Sequence, residues 1–183
     1  MERETISGSF PLGSRLPKFE LLNVDGTRLG SDYLNGSKAA LVAFLCNHCP
    51  YVKGSEDMLI SIVKRFQADG LKTVVINSND AGKYPEDSYE KMKEKAHALS
   101  LPYPYLHDES QSVARAFDAA CTPEFYLFNR DGALAYHGTI NDSPRDASKV
   151  TKDYLSKAIE SVLEGRVPEP QFVHPLGCSI KWK

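Results

Sequence analysis

The sequence predicts an α/β fold in which a mixed central sheet is flanked by helices. Apolar runs typical of buried strands alternate with segments of helical period, and an antiparallel hairpin followed by a helix closes the chain. An N-terminal hairpin is expected to extend the sheet. The 183 residues are enough for one domain with a hydrophobic core. We therefore expect a single domain over 1–183, with an irregular arm at 1–15 and a tail at 166–183.

Each element follows from a local pattern. Continuous apolar runs predict strands buried on both faces, apolar stripes of helical spacing predict helices, and Asp-Gly pairs predict hairpin turns. A helix separates the first two buried strands, which predicts that they are parallel. In order, the patterns predict strands at 19–24 and around 29, a helical turn at 31–34, a strand at 39–45, a helix from about 50 to before Gly70, a strand at 71–76, a polar loop at 77–87, helices at 88–99 and 111–117, strands at 125–128 and 133–140, and a helix at 150–163.

Composition limits the classes of function. Apolar residues make up 42% of the chain and charged residues 25%, which is typical of globular proteins. The net charge of −2 argues against a nucleic-acid partner. No segment approaches the ~20 apolar residues of a membrane span, and the start MERETISGSF has no apolar core of signal-peptide length. We therefore expect a cytoplasmic protein with no membrane partner.

The stretch CNHCP at 46–50 is the main functional signal. Cys46 ends a central predicted strand and the motif opens a helix, where reaction sites of α/β sheets lie. Free N–H groups at a helix start favour an anion by about 0.3–1 kcal/mol, which lowers the pKa of a thiol. A protonated His48 would add to this effect. Because the thiolate is the reactive form, a close cysteine pair in a reducing compartment indicates catalysis or metal binding.

The element order, the CNHC motif at 46–49 and Thr122-Pro123 before a strand resemble the thioredoxin fold. They are more similar to its redoxin branch, which is thioredoxin- and peroxiredoxin-like and adds an N-terminal hairpin and an insertion. The likeness covers roughly 15–165. Together, CNHCPYVKGS and the tail PLGCSIKW resemble an AhpC/TSA-related peroxiredoxin-like subgroup.

The resemblance implies a role for each matching residue. Cys46 corresponds to the exposed nucleophile, Cys49 to the resolving cysteine, and His48 to a tuning histidine. Pro123, supported by Thr122, corresponds to a cis-proline that faces the pair and helps to dock an extended substrate. The implied activity is thiol–disulfide exchange in redox homeostasis, and we expect neither a cofactor nor a resident metal.

The motif departs from the thioredoxin pattern in three places. Leu45 stands where a tryptophan is usual, and Pro50 follows the pair instead of lying within it. Ala40 replaces the buried acid that accepts the proton of the resolving thiol. That acceptor is therefore either missing or supplied from elsewhere in the chain.

A peroxidase is the main alternative. The peroxiredoxin pattern Pro-x-x-x-Thr/Ser-x-x-Cys aligns Cys49 with the attacking cysteine, but Cys46 takes the place of Thr or Ser, and Val42 that of Pro. We therefore favour dithiol exchange over peroxide reduction. Cys46 would attack a protein or low-molecular-weight disulfide, and Cys49 would resolve the mixed disulfide.

Two further interpretations stay open. The pair with His48 or Cys121 could assemble a non-catalytic metal site, which needs three or four ligands. The pair Cys46 and Cys49 could also be buried structural thiols. Cys121 and Cys178 are candidates for extra redox thiols, with a purely structural role as the alternative for each. The oligomeric state is not indicated by the sequence.

Overall fold

The computed structural model describes residues 10–183 and has the predicted α/β architecture, a mixed sheet flanked by helices. Of the arm expected at 1–15, residues 1–9 lie outside the described range. Residues 10–15 form a turn and one bridge between Arg15 and Ala133. Within the described range, no helix is both long enough and apolar enough to cross a membrane.

The strands and helices are numbered in chain order. The strands are β1 (Glu20–Asn23), β2 (Arg28–Gly30), β3 (Ala39–Phe44), β4 (Leu71–Asn77), β5 (Tyr105–His107), β6 (Cys121–Thr122), β7 (Glu124–Phe128), β8 (Leu134–Gly138), β9 (Phe172–Val173) and β10 (Cys178–Ser179). The α-helices are α1 (Pro50–Phe66), α2 (Tyr89–Leu99), α3 (Ser112–Ala116) and α4 (Tyr154–Leu163), and 3-10 turns occupy Ser31–Leu34, Gln67–Asp69, Pro85–Asp87 and Ala147–Lys149.

The main sheet has the strand order β2-β1-β5-β4-β3-β7-β8-β9. The central strand β3 is parallel to β4 and antiparallel to β7, as the crossover helix and the later hairpin predict. All six residues of β3 are buried. Its alternate side chains enter two apolar clusters, one on each face of the sheet. This double burial fixes the strand whose carboxyl end carries the cysteine motif.

Helices cover both faces of the sheet. One cluster contains buried residues of α1 and α4 together with Met92 of α2, and the other contains α3. The helix expected at 150–163 begins only at Tyr154, because the side chain of Asp153 accepts the backbone N–H of Ser156 at 2.9 Å and caps the helix there.

Two regions differ from the sequence prediction. The stretch around Pro102 and Pro104 leads into β5, which joins β1 to β4 and was not predicted as a strand of the sheet. The polar loop at 77–87 is largely buried at its ends, where Asn77 and Asp87 have no exposed surface. Hydrogen bonds satisfy these polar groups and make their burial tolerable.

The C-terminal segment, residues 177–183, is packed into the domain. Its strand β10 pairs antiparallel with β6. The backbone N–H of Ile180 donates to the carbonyl of Ala120 at 3.0 Å, and the Ile180 side chain enters the second apolar cluster. The carbonyl of Lys181 accepts the N–H of Asp80 at 2.8 Å. The tail therefore returns across the chain, and its Cys178 lies beside the cysteine motif.

Gly177→Ala tests this packing, because a Cβ at position 177 would lie 2.1 Å from the carbonyl oxygen of Thr122. We expect the free energy of unfolding to fall by about 1–3 kcal/mol, since backbone must move to admit the methyl group. Gly82→Ala is the matched control, because its methyl would meet only a side-chain oxygen of Asp80 at 3.1 Å. Urea unfolding measures both variants, and equal stability of the two would contradict the close approach.

Candidate active site

Three thiols meet at the carboxyl end of β3. Cys46 follows the strand, Cys49 is the N-cap residue of α1, and Cys178 lies in β10. The Cys49 sulfur lies 2.8 Å from that of Cys178 and 3.4 Å from the carbonyl oxygen of Thr122. The Cys46 sulfur lies 3.3 Å from the Thr122 hydroxyl. All three are free thiols, so the structure shows the reduced site.

The thiols differ in exposure. Cys46 and Cys49 are 1% and 0% exposed, whereas Cys178 is partly exposed. The resemblance implies an exposed nucleophile at Cys46, and that expectation is wrong for this structure. Its side chain joins the apolar cluster beneath the sheet, and its sulfur faces Thr122. Of the three thiols, Cys178 therefore offers the most surface to solvent.

The negative charge of the reduced site is held on Cys49. The Cys46 thiol donates to the Cys49 sulfur and lowers the pKa of Cys49 to about 5, against the opposing effect of burial. The thiol of Cys178 and the backbone N–H groups of Val52 and Cys178 add to this stabilisation. The N-cap position of Cys49 explains why helix N–H groups are at hand.

The other two thiols keep their protons. Hydrogen bonding to Cys49 raises the pKa of Cys46, and burial and the negative charge of Asp87 act in the same direction. Burial raises the pKa of Cys178 to about 12, helped by its hydrogen bond to Cys49. Of the three thiols, Cys49 is therefore the one whose ionisation the site favours.

Asp87 supplies a buried carboxylate beside the motif, although Ala40 leaves the usual acid position empty. Its Oδ1 accepts the backbone N–H of Asn47 at 2.7 Å and the Asn77 amide at 3.2 Å. Its Oδ2 accepts the Asn79 amide at 2.9 Å and lies 2.7 Å from Nδ1 of His48. Three hydrogen-bond donors and the nearby His48 nitrogen surround one buried carboxylate and fix the loop that carries the cysteines.

Aromatic side chains complete this support. Tyr84 stacks on His48 with ring centroids 5.9 Å apart, and the Tyr105 hydroxyl donates to Oδ1 of Asn47 at 2.7 Å. His48, predicted as a tuning residue, is therefore oriented by both Asp87 and Tyr84. Asn77 ends β4 and Asn79 follows it, and the signal that could have found them is the placing of polar residues at the carboxyl end of a strand parallel to β3. The sequence offered no such signal for Asp87, which follows the strand by ten residues.

The peptide bond between Thr122 and Pro123 is cis, as predicted. The next residue, Glu124, is buried and accepts the backbone N–H groups of Ala120 and Cys121 at 2.8 and 3.2 Å. These bonds hold the turn that carries Thr122. The Cys121 sulfur is buried and lies 4.0 Å from the carbonyl oxygen of Pro123. A redox role for Cys121 stays a prediction.

One set of side chains could hold a metal ion. The sulfur of Cys46, a ring nitrogen of His48 and a carboxylate oxygen of Asp87 lie within 4.8 Å of one another. Sulfur, nitrogen and oxygen ligands suit zinc, which takes three or four protein ligands. The carboxylate already accepts three hydrogen bonds, and a metal ion would have to replace the contact between Asp87 and His48.

Residues 12–137 match the AhpC/TSA family. The chain belongs to this family. An uncharacterized conserved protein from Geobacillus kaustophilus is 47% identical, with a TM-score of 0.91 over 97% of this chain and 95% of that chain. None of the curated proteins compared with the chain matches it significantly.

More distant structures share the fold. A thiol:disulfide interchange protein of the thioredoxin family from Chlorobium tepidum TLS is 19% identical, with a TM-score of 0.65 over 85% of this chain and 99% of that chain. Peroxidoxin BcpB from Mycobacterium tuberculosis is 17% identical, with a TM-score of 0.64 over 86% and 98%. The AhpC/TSA member described here therefore has the predicted thioredoxin fold of the redoxins.

Asp87→Asn tests the support of the motif. The new amide would present an N–H group to neighbours that are themselves donors, so we expect the free energy of unfolding to fall by about 2–4 kcal/mol. Asp57→Asn, on the exposed side of α1, is the control and should stay within about 0.5 kcal/mol of wild type. Urea unfolding at neutral pH measures both, and wild-type stability of Asp87→Asn would contradict the assigned hydrogen bonds.

Proposed function

We propose that the protein is a thiol–disulfide oxidoreductase that acts through Cys46 and Cys49 in redox homeostasis. The observation that supports this proposal is that Cys46 and Cys49 meet at the carboxyl end of β3, where hydrogen bonding between the two thiols lowers the pKa of Cys49 to about 5 and raises that of Cys46. Thr122 contacts both sulfurs and precedes the cis bond to Pro123. Family and fold point to oxidoreductase or peroxidase activity in general.

The exchange consists of two displacements. One thiolate of the pair attacks a substrate sulfur, forms a mixed disulfide and releases the first substrate thiolate, which takes up a proton. The second cysteine then loses its proton and attacks the cysteine sulfur of the mixed disulfide. This step releases the other substrate thiol and leaves a disulfide between Cys46 and Cys49. The substrate is reduced by two electrons, and the pair is oxidised by two.

The order of attack distinguishes two versions of this mechanism. In the order implied by the resemblance, Cys46 attacks and Cys49 resolves. The electrostatics of the reduced site favour the reverse order, because the thiolate is on Cys49 and Cys46 is its donor. The sequence predicts that the substrate is a protein or a low-molecular-weight disulfide. This substrate class and the cytoplasmic location remain predictions.

Peroxide reduction is the second candidate, and the lowered pKa of Cys49 is the observation that favours it. The Cys49 thiolate would attack a peroxide oxygen, become a sulfenic acid and release water or an alcohol. The hydroxyl of Thr122 contacts Cys46 and not Cys49, and Cys46 occupies the position of the peroxiredoxin Thr or Ser. These two features favour dithiol exchange as the first candidate.

Single substitutions of the pair test the proposal. In a Cys178→Ser background, which removes the thiol that lies 2.8 Å from Cys49, we expect Cys46→Ser and Cys49→Ser each to lower the rate of disulfide reduction by at least about a hundredfold relative to Cys178→Ser alone, because exchange then requires both thiols of the pair. Reduction of insulin and of hydroxyethyl disulfide, with dithiothreitol as the final donor, measures this rate. The variant that retains the attacking cysteine accumulates a mixed disulfide, which mass spectrometry detects.

Retention of wild-type rates by both variants would rule out the pair as the reacting centre. Peroxide consumption that requires Cys49 and survives Cys46→Ser would establish the peroxidase instead. A mixed disulfide on Cys46 in the Cys49→Ser variant supports the order implied by the resemblance, and one on Cys49 in the Cys46→Ser variant supports the reverse order.

A further inference from the structure

The C-terminal strand brings a third thiol into bonding reach of the pair. The sulfurs of Cys178 and Cys49 are 2.8 Å apart, and a disulfide bond is about 2.05 Å long, so a shift of less than about 1 Å would join them. Cys178 is also partly exposed, whereas Cys46 and Cys49 are buried. A disulfide in solution can therefore approach Cys178 directly, whereas Cys46 and Cys49 would first have to become exposed.

The position of Cys178 is fixed by the fold. Cys178 is opposite Thr122 in the β6–β10 ladder, and Ile180 is anchored to Ala120 two residues later. On the other side, Gly177 passes so close to the carbonyl oxygen of Thr122 that no larger residue fits. The thiol is thus held against Cys49 from both directions.

The strand β10 also occupies a place that an external peptide would otherwise take. An unpaired strand edge presents N–H and C=O groups that accept an extended segment, and β10 pairs with the edge that β6 would otherwise present beside the buried pair. The chain fills it with its own cysteine-bearing segment. The arrangement presents Cys178 to Cys49 as an extended substrate would present its own cysteine.

We propose that Cys178 is a third exchanging thiol, which passes a disulfide from an external substrate to the buried pair. This inference rests on the proposed thiol–disulfide exchange at Cys46 and Cys49. It adds to that function the route by which a substrate of the low-molecular-weight disulfide class reaches a pair that has almost no exposed surface.

The relay has three balanced steps. Cys178 gives its proton to the Cys49 thiolate and attacks the external disulfide. A mixed disulfide forms on Cys178, and the substrate thiolate that leaves takes the proton from Cys49. The Cys49 thiolate then attacks the Cys178 sulfur, forms the 49–178 disulfide and releases the second substrate thiolate.

Cys46 completes the relay. It gives its proton to the second substrate thiolate and attacks the Cys49 sulfur. The 46–49 disulfide forms, the 49–178 bond breaks, and Cys178 leaves as a thiolate that recovers a proton from solvent. The sum is one external disulfide reduced to two thiols and one pair of buried thiols oxidised, with Cys178 returned to its starting state.

Disulfide mapping tests the relay without any substitution. Reduced wild-type protein is mixed with hydroxyethyl disulfide, quenched with acid at successive times, alkylated, digested and analysed by mass spectrometry. We expect a 49–178 disulfide to appear before the 46–49 disulfide, and to accumulate as the final product in Cys46→Ser. If Cys178 is fully alkylated at every time in both proteins, the relay is overturned.

A rate comparison tests the route independently. We expect Cys178→Ser to form the 46–49 disulfide at least about tenfold more slowly than wild type with the same reagent. Ser179→Ala, one residue along the same strand, is the matched control and should react at the wild-type rate. A wild-type rate for Cys178→Ser would overturn the relay.

The results separate this inference from the proposed function. If Cys178→Ser keeps the wild-type rate while Cys46→Ser and Cys49→Ser lose disulfide reduction, the relay is wrong and the pair still carries the exchange. If no 46–49 disulfide forms in wild-type protein and both pair variants remain active, the proposed function itself is wrong.

Discussion

Hydrogen bonds from two neighbouring thiols to the sulfur of Cys49 are the interaction on which the site depends. A thiolate with no exposed surface has no water to stabilise it, so protein donors must replace water. Cys46 and Cys178 supply two of them, and backbone N–H groups at the start of α1 and in β10 add to these. Since one donor comes from the last strand, the C-terminal segment is part of the reacting centre.

The second constraint is the buried carboxylate of Asp87. It accepts three hydrogen bonds, one from the CNHC loop and two from the end of β4 and the segment after it, and it lies beside His48, so it sets where the motif lies. Its negative charge also favours the protonated form of Cys46. Cys46 thus lies between two negative groups, which explains why it is the donor of the pair.

Local patterns were enough to predict the frame of the site. The apolar run before Cys46 predicts β3, and the apolar stripe after Cys49 predicts α1. The resemblance around Thr122-Pro123 predicts the cis peptide bond. The structure confirms all three. The contact between Cys49 and Cys178 joins residues 129 positions apart, and no local pattern specifies it. The same holds for Asp87, because a single Asp in a polar loop looks like a turn residue until the fold buries it. Both the contact of Cys49 with Cys178 and the burial of Asp87 depend on residues that are far apart in the sequence.

A titration of the reduced protein shows which thiol of the pair carries the negative charge. With ¹³C at the cysteine Cβ atoms, the NMR shift of each thiol can be followed against pH. The Cys49 resonance is expected to titrate with a midpoint near 5, while Cys46 stays protonated through the neutral range. A low midpoint at Cys46, with Cys49 protonated at neutral pH, would show that the charge lies on the other thiol of the pair.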